Sequence, residues 1–298
     1  MAEITVGIAQ IAPIKGNIQA NLDKVGALMR QISDEGLEVD LLTLPETATT
    51  GYFLEGGVVE AALDARSLAN MLAQQYQSSG LQRALDVSMG FYQKENGHLY
   101  NSAIYVELPS GEIKHVHRKF FLPTYGVFDE ERFVSRGVRI EAFDTRFGRG
   151  AMLICEDVWH SVCATIAALK GAWFILAPVA SPARGFGGEI PDNLVQYERI
   201  VGRMSEEHGL YTVMTALVGF EGGKGFSGGS MLAAPNGEVA LKAPIGEEAL
   251  AIGKMSFDEV EVARARLPLL SDLQSALCDV INQMCSGAIV YNQDRMEE

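Results

Sequence analysis

The sequence LICEDVW, residues 153–159, places a cysteine at the end of an apolar segment. Residues 150–154 predict a short buried strand, and residues 161–170, which are mostly small or apolar, predict a helix. Cys155 is therefore expected in the turn before a helix, where free backbone N–H groups and the helix dipole favour a thiolate. A structural cysteine fits the same segment, because free cysteines often pack as small hydrophobic residues.

Strands and helices alternate on both sides of this segment, which predicts an α/β fold. The order of elements before Cys155 returns after it, and each series closes in a hairpin, so we expect an internal pseudo-duplication with mixed sheets and helices outside. The predicted strands are residues 4–11, 39–44, 87–93, 102–108, 112–117, 150–154, 173–177, 211–219, 230–234 and 238–242, and the predicted helices are residues 18–33, 67–77, 81–85, 161–170 and 193–208.

The last part of the chain has a different pattern. Leucines at helical spacing between residues 264 and 289 predict an amphipathic tail. We therefore expect one domain over residues 1–260, followed by a tail over residues 261–298 that packs on the body or on a partner subunit.

Composition limits the classes of partner and the compartment. The 298 residues are 48% hydrophobic, enough for a large core, and the formal charge of −14 argues against a nucleic-acid or anionic-membrane surface. No apolar run is long enough to cross a bilayer, and residues 1–10 lack the basic start of an export signal. Four cysteines without a CxxC pair predict free thiols and a cytoplasmic protein.

No metal or organic cofactor is predicted. His115 and His117 share one face of a strand but lack a third ligand at suitable spacing, so we expect a solvated hairpin edge there. Residues 223–228 match GxGxxG and residues 225–229 match GxSxG, but a predicted strand follows them, whereas both motifs require a helix.

Two chemically capable side chains follow predicted strands directly. Glu46 and Cys155 both come just after an apolar strand, where ligands collect in open α/β sheets, and they occupy comparable places in the two halves. Lys119 follows the strand at 112–117 and begins an aromatic stretch. Singly, Glu46 could be a helix-start carboxylate and Lys119 a surface base, but together the three predict one site.

These residues carry a resemblance to a known family. Residues 44–52 (LPETATTGY), 118–123 (RKFFLP) and 153–159 resemble, in order and separation, the nitrilase superfamily of carbon–nitrogen hydrolases, which use a Glu-Lys-Cys triad. The resemblance covers about the first 255 residues and implies a four-layer α-β-β-α sandwich. Within the family, residues 122–130 (LPTYGVFDE), 51–52 and 180–182 look most like the glutaminase domain of glutamine-dependent NAD synthetases, although the chain carries no ATP-pyrophosphatase loop.

The resemblance implies residue roles. Cys155 would be the nucleophile, Glu46 the general base, and Lys119 a cation that lowers the thiol pKa and binds the oxyanion together with the backbone N–H after Cys155. Glu130 matches a second family glutamate that orients Lys119 or the substrate, with Glu131 as the neighbouring alternative. Six further residues are substrate-binding candidates or ordinary core and loop residues: Tyr52, Phe128, Glu156, Trp159, Ser181 and Arg184.

The expected function is hydrolysis of a small primary amide, glutamine-like or another ω-amide, through a thioester with release of ammonia. Cleavage of a nitrile or an N-carbamoyl compound is an alternative, and so is a stand-alone glutaminase subunit that supplies ammonia to a synthetase partner. An idle scaffold on the same fold is the alternative outside enzymology. We also expect a homodimer or a higher homo-oligomer.

Overall fold

Two six-stranded β-sheets face each other in the computed structural model, which describes residues 3–185 and 188–293. Apolar side chains of both sheets meet in one core, and helices cover the outer faces, so the predicted four-layer α/β sandwich is confirmed. The strands are β1 Glu3–Gln10, β2 Leu41–Thr43, β3 Leu85–Glu95, β4 His98–Leu108, β5 Glu112–Arg118, β6 Ala142–Thr145, β7 Gly148–Met152, β8 Phe174–Val179, β9 Tyr211–Ala216, β10 Val218–Glu221, β11 Lys224–Ser227, β12 Met231–Ala233, β13 Val239–Lys242 and β14 Ala249–Ser256.

Eight helices accompany the strands within the described residues. Helices α1 and α3 pack their apolar faces on the first sheet, and α5 and α6 cover the second. Their bounds are α1 Ile18–Asp34, α2 Val58–Ala61, α3 Ala65–Ser78, α4 Glu156–Trp159, α5 Ser161–Leu169, α6 Asp192–His208, α7 Phe257–Arg266 and α8 Leu269–Gln293.

The two sheets repeat one strand pattern. The first has the order β14-β1-β2-β3-β4-β5, with β1, β2 and β3 parallel and the remaining neighbours antiparallel. The second has the order β6-β7-β8-β9-β12-β13, with β7, β8 and β9 parallel and the remaining neighbours antiparallel. The pseudo-duplication therefore pairs β1 with β7, β2 with β8, and β3 with β9.

This pairing corrects one expectation about the site. Glu46 follows β2, whereas Cys155 follows β7, the counterpart of β1. Both lie beyond the carboxyl ends of parallel strands, as predicted, but they do not occupy equivalent places in the two halves.

Two predicted elements differ from the observed ones. Residues 81–84 form no helix, because Gly80 after α3 takes a φ of 79° that stops the helix, and Leu85 already begins β3. The predicted strand at 211–219 is divided, since β9 ends at Ala216 and β10 pairs with β11 in a separate two-stranded ribbon.

The C-terminal segment consists of two helices. Helix α7 ends before Pro268, and the predicted boundary at residue 260 falls inside it. Leu270 at the start of α8 is buried against the body, whereas Ile281 and Met284 are exposed. Over the described residues, no helix combines the length and the apolar composition that a membrane crossing requires.

Candidate active site

Glu46 lies three residues beyond β2 and is fully buried. Its Oε1 accepts hydrogen bonds from Lys119 Nζ at 2.8 Å and from Asn101 Nδ2 at 2.8 Å, and its Oε2 accepts one from the backbone N–H of Ala180 at 2.7 Å. Three donors from three separate segments therefore fix this carboxylate in one orientation.

A glycine on β3 permits the path of the Glu46 loop. A Cβ on Gly90 would lie 2.5 Å from Pro45 O and Thr47 N, which are backbone atoms and cannot turn away. The loop thus approaches the neighbouring strand more closely than any side chain allows.

Lys119 follows β5 and is buried between two carboxylates. Its Nζ donates to Glu46 Oε1 at 2.8 Å and to Glu130 Oε1 at 2.7 Å. Burial alone would lower the pKa of Lys119, but the charges of Glu130 and Glu46 outweigh it and raise the pKa well above its usual value. Lys119 is therefore a permanent cation.

Glu130, rather than Glu131, is the second glutamate of the site. Glu130 opens a short 3₁₀ turn, is buried, and accepts hydrogen bonds from Lys119 and from the hydroxyl of Tyr52, whereas Glu131 is exposed. Burial raises the pKa of Glu130 to about 7, assisted by the charge of Glu46 and opposed by Lys119. This carboxyl therefore changes its charge near neutral pH.

Cys155 is buried, and its Sγ lies 3.3 Å from the hydroxyl of Tyr197. Burial and the charge of Glu46 raise the pKa of the Cys155 thiol, whereas Lys119, Tyr197 and the backbone N–H of Ala180 oppose the rise. The net effect is a raised pKa of Cys155, so the side chain is a protonated thiol rather than the predicted thiolate, and it requires a base.

The helix-dipole expectation for Cys155 is also corrected. Cys155 caps α4, a helix of only one turn, and the longer α5 starts separately at Ser161. One turn provides few aligned peptide dipoles, so the dipole contributes little to the thiol pKa. Cys155 itself has φ 46° and ψ −93°, a backbone conformation that non-glycine residues rarely adopt.

Three predicted substrate-binding residues gather beside Glu130. Tyr52 packs edge to face on Phe128, and the guanidinium carbon of Arg184 lies 5.3 Å from the centre of the Phe128 ring. A cavity of about 340 Å³ is lined by Tyr52, Phe128 and Glu130, and a neighbouring one of about 670 Å³ is lined by Arg184. Lys224 lines both cavities.

The other three predicted substrate-binding residues line neither cavity. Glu156 accepts a hydrogen bond from the hydroxyl of Tyr125 at 2.8 Å, and Ser181 accepts one from Asn193 at 3.1 Å. Trp159 packs edge to face on Tyr197, whose hydroxyl lies beside Cys155.

Sequence reasoning missed Asn101, Ala180 and Tyr197, which contact Glu46 or Cys155 directly. Asn101 lies within strand β4 and Tyr197 within helix α6, where their neighbours in sequence give no sign of the site. For Ala180, the end of an apolar strand was a usable signal, because the site lies at that edge of both sheets.

The predicted solvated edge at His115 and His117 is wrong. His117 is buried and hydrogen-bonded to Asp157 at 2.9 Å, and His115 stacks on Phe143 of the opposite sheet. Burial and the proximity of His117 lower the pKa of His115 to about 4. The second half of the molecule covers this strand, which the local sequence does not indicate.

Comparison with known proteins identifies the family of the chain. Residues 5–265 match the carbon–nitrogen hydrolase family. The chain is 30% identical over 271 residues to a glutamine-dependent NAD(+) synthetase of Thermotoga maritima, covering 87% of this chain and 43% of the relative. It is 28% identical over 300 residues to the glutamine-dependent NAD(+) synthetase of Acinetobacter baylyi, covering 100% of this chain and 51% of the relative. The chain thus spans about half the length of these relatives.

A solved structure shares the fold. The carbon–nitrogen hydrolase from Helicobacter pylori G27 superposes with a TM-score of 0.81 at 23% identity, covering 93% of this chain and 98% of that protein. The resemblance predicted from three short motifs is thereby confirmed. The chain belongs to the carbon–nitrogen hydrolase family, the nitrilase superfamily of enzymes.

Proposed function

We propose that this protein hydrolyses a small primary amide through a thioester on Cys155. The observation that carries the proposal is the buried group in which Lys119 pairs with both Glu46 and Glu130. Glu46 raises the pKa of the Cys155 thiol, and Lys119 lowers it. Two carboxylates, one cation and one thiol in a desolvated site provide a base, an electrostatic donor and a nucleophile.

Glu46 acts as the general base. It takes the proton of the Cys155 thiol as Sγ attacks the carbonyl carbon and forms a C–S bond. When the tetrahedral adduct breaks its C–N bond, the proton passes to the leaving ammonia. A water molecule then attacks the thioester, Glu46 accepts its proton, and the acid leaves as the thiol reforms.

Lys119 stabilises the oxyanion of both tetrahedral adducts. Its raised pKa keeps it charged throughout the cycle, and the backbone N–H of Glu156 is a second donor candidate at the start of α4. Loss of one such donor typically costs about 2.7–4 kcal/mol in the activation barrier.

Two buried acceptors favour an amide over a nitrile. Within the part of the chain that the structure describes, Glu130 Oε2 and Asn101 Oδ1 have no hydrogen-bond partner. An amide NH₂ can donate to such acceptors, whereas a nitrile nitrogen has no hydrogen to donate. Leaving buried acceptors unpaired is costly, so a substrate N–H group that reached these atoms would be stabilised there.

Ammonia release by the wild type and by Cys155→Ala tests the proposal. The panel contains glutamine, asparagine, succinamate, short aliphatic amides, nitriles and N-carbamoyl compounds. We expect release from at least one amide, and we expect Cys155→Ala to remove it completely because, among the described residues, Cys155 is the thiol whose pKa responds to Glu46.

Cys163→Ala is the matched control, since Cys163 is also buried but lies on α5 away from Glu46. Equal release by wild type and Cys155→Ala would refute the thiol mechanism. Silence across the panel, with a Cys155 that resists alkylation, would favour the idle scaffold, and release only from nitriles or carbamoyl compounds would select those branches.

Glutamine-like substrates are the favoured subclass. Lys224 lines the cavity of Tyr52, Phe128 and Glu130, and Arg184 lines the neighbouring cavity with its guanidinium near the Phe128 ring. A guanidinium pairs well with a carboxylate. An ω-amide with a distal carboxylate would place that carboxylate near Arg184. The NAD synthetases among the relatives support, as the second candidate, a glutaminase that supplies ammonia to a synthetase in the cytoplasm.

Arg184→Ala tests this subclass. We expect the KM for glutamine or succinamate to rise by about tenfold or more, the usual cost of losing a charged hydrogen bond, while a short aliphatic amide is unaffected. Lys242→Ala, a surface cation paired with Glu198, is the control. An unchanged KM for carboxylate-bearing amides would reject the role of Arg184.

A further inference from the structure

Asp157 is fully buried and engages two separate segments of backbone. Its Oδ1 accepts hydrogen bonds from the backbone N–H groups of Phe120 and Phe121, at 2.9 Å and 2.8 Å. Its Oδ2 accepts one from the backbone N–H of Ile154 at 3.1 Å and lies 2.9 Å from Nε2 of His117.

These partners adjoin the residues of the proposed mechanism. Phe120 directly follows Lys119, and Ile154 directly precedes Cys155. One carboxylate therefore joins the backbone beside the ammonium to the backbone beside the thiol, across a sequence separation of 36 residues between Phe121 and Asp157.

The burial and bonding of Asp157 exclude contact with a substrate. Both of its oxygens are used by protein donors, and its side chain has no exposed surface. His117 is likewise enclosed, with 1% of its side chain exposed, and its Nε2 faces this carboxylate. Asp157 can therefore act only through the segments that it holds.

We infer that Asp157, with His117, is a positioning residue that fixes Lys119 relative to Cys155. This inference rests on the proposed function, which gives Lys119 and Cys155 their chemical roles. Charge-assisted hydrogen bonds to backbone N–H groups are stronger than neutral ones, which suits a carboxylate to this task.

Asp157→Asn weakens this connection with little change in volume. One oxygen can still accept from Phe120 and Phe121, but the new NH₂ group then faces the N–H of Ile154, donor against donor. Asp86→Asn is the matched control. Asp86 is equally buried, accepts from the hydroxyl of Tyr105, and pairs with Leu41 at the opposite end of the strand that leads to Glu46.

Alkylation of Cys155 by iodoacetamide, followed by mass spectrometry of its peptide across a pH series, reports the position of Lys119 without any substrate. The titratable groups that interact with the thiol are Glu46, Lys119, Tyr197, Tyr52 and Tyr125. Cys163, which is buried in α5, reports opening of the fold, but the charge of Asp157 helps to raise its pKa, so circular dichroism of each variant is the independent measure of folding.

We expect Asp157→Asn to slow alkylation of Cys155 about tenfold at neutral pH and to move the midpoint up by about one pH unit, since one unit of pKa is a tenfold change. Cys163 stays protected, and Asp86→Asn leaves the Cys155 profile unchanged. A Cys155 midpoint that stays in place, or moves down as removal of a negative charge alone would cause, overturns the inference.

A second pair keeps the test decisive if Asp157→Asn exposes Cys163. His117→Gln retains an N–H donor toward Asp157, whereas His117→Leu removes it. We expect His117→Gln to react nearly as the wild type does and His117→Leu to shift in the same direction as Asp157→Asn. Equal profiles for the two variants would overturn the role of His117 and of the connection. A wild type that releases no ammonia would refute the proposed function while leaving these comparisons readable.

Discussion

The two halves of the molecule have the same strand pattern but contribute different chemistry. The first half supplies the charged side chains Glu46, Lys119 and Glu130, and the second supplies Cys155 and Tyr197. The segments that follow the counterpart strands β2 and β8 are in contact, because Glu46 after β2 accepts a hydrogen bond from the backbone N–H of Ala180 after β8. The two sheets thus share one strand pattern, and the candidate site lies where the carboxyl ends of their parallel strands face each other.

Among variants that keep the Cys155 thiol, the largest effect should come from removing the proposed base, Glu46, which the first half supplies. Glu46→Gln keeps the shape of the side chain but cannot take the proton of Cys155. We expect turnover of the preferred amide to fall by about 10²–10⁴-fold, the usual contribution of a general base. Steady-state ammonia release measures this loss.

Glu131→Gln is the control for Glu46→Gln, since Glu131 is an exposed glutamate next to the site. It should leave turnover unchanged. If Glu46→Gln retained wild-type turnover, the second half would contain its own base, and the division of labour between the halves would be wrong.

The sequence predicted most of the frame and the charged part of the site. Glu46 and Cys155 could be predicted because each follows an apolar strand, and Lys119 because it begins a recognisable motif. Asn101 and Tyr197 escaped because each reaches the site from within a regular element, across 55 and 42 residues of sequence. The upward shift of the thiol pKa was also out of reach, since it depends on burial that only the packed sheets create.

A smaller effect is expected from Glu130, the second carboxylate that binds Lys119. Its replacement tests the contribution of that ion pair separately from the contribution of Glu46 as a base. Glu130→Gln should lower turnover by about 10- to 100-fold, because a hydrogen bond to charged Lys119 contributes about 1.5–3 kcal/mol. Ammonia release measures this loss. Turnover equal to that of the wild type would mean that Lys119 needs only one carboxylate.

The same variant changes how stability depends on pH. The folded-state pKa of Glu130, about 7, lies above its unfolded value of about 4.3, so the folded protein keeps a proton that the unfolded chain releases. The stabilisation from that proton is present at low pH and is lost as pH rises toward 7. Between about pH 4 and pH 7, denaturant unfolding should show the wild type losing stability relative to Glu130→Gln. Parallel curves would contradict this assignment.

The smallest effect should come from the second half. Tyr197→Phe removes the hydroxyl 3.3 Å from Cys155 Sγ but keeps the ring on Trp159. Because this contact lowers the thiol pKa, we expect the midpoint of Cys155 alkylation to rise and turnover to fall by about 2- to 10-fold, the worth of one hydrogen bond.

Tyr76→Phe controls for loss of a buried hydroxyl, since Tyr76 on α3 donates to the backbone of Arg83 away from the site. It should leave the alkylation midpoint unchanged. An effect of Tyr197→Phe as large as that of Glu46→Gln would mean that the second half tunes its own nucleophile.

The backbone conformation of Cys155 lowers the stability of the fold at the position of the proposed nucleophile. A φ of 46° with a ψ of −93° costs a non-glycine residue about 1–3 kcal/mol, and glycine would relieve that cost. A change that raised thermal resistance at this position would therefore remove the thiol on which the proposed mechanism depends.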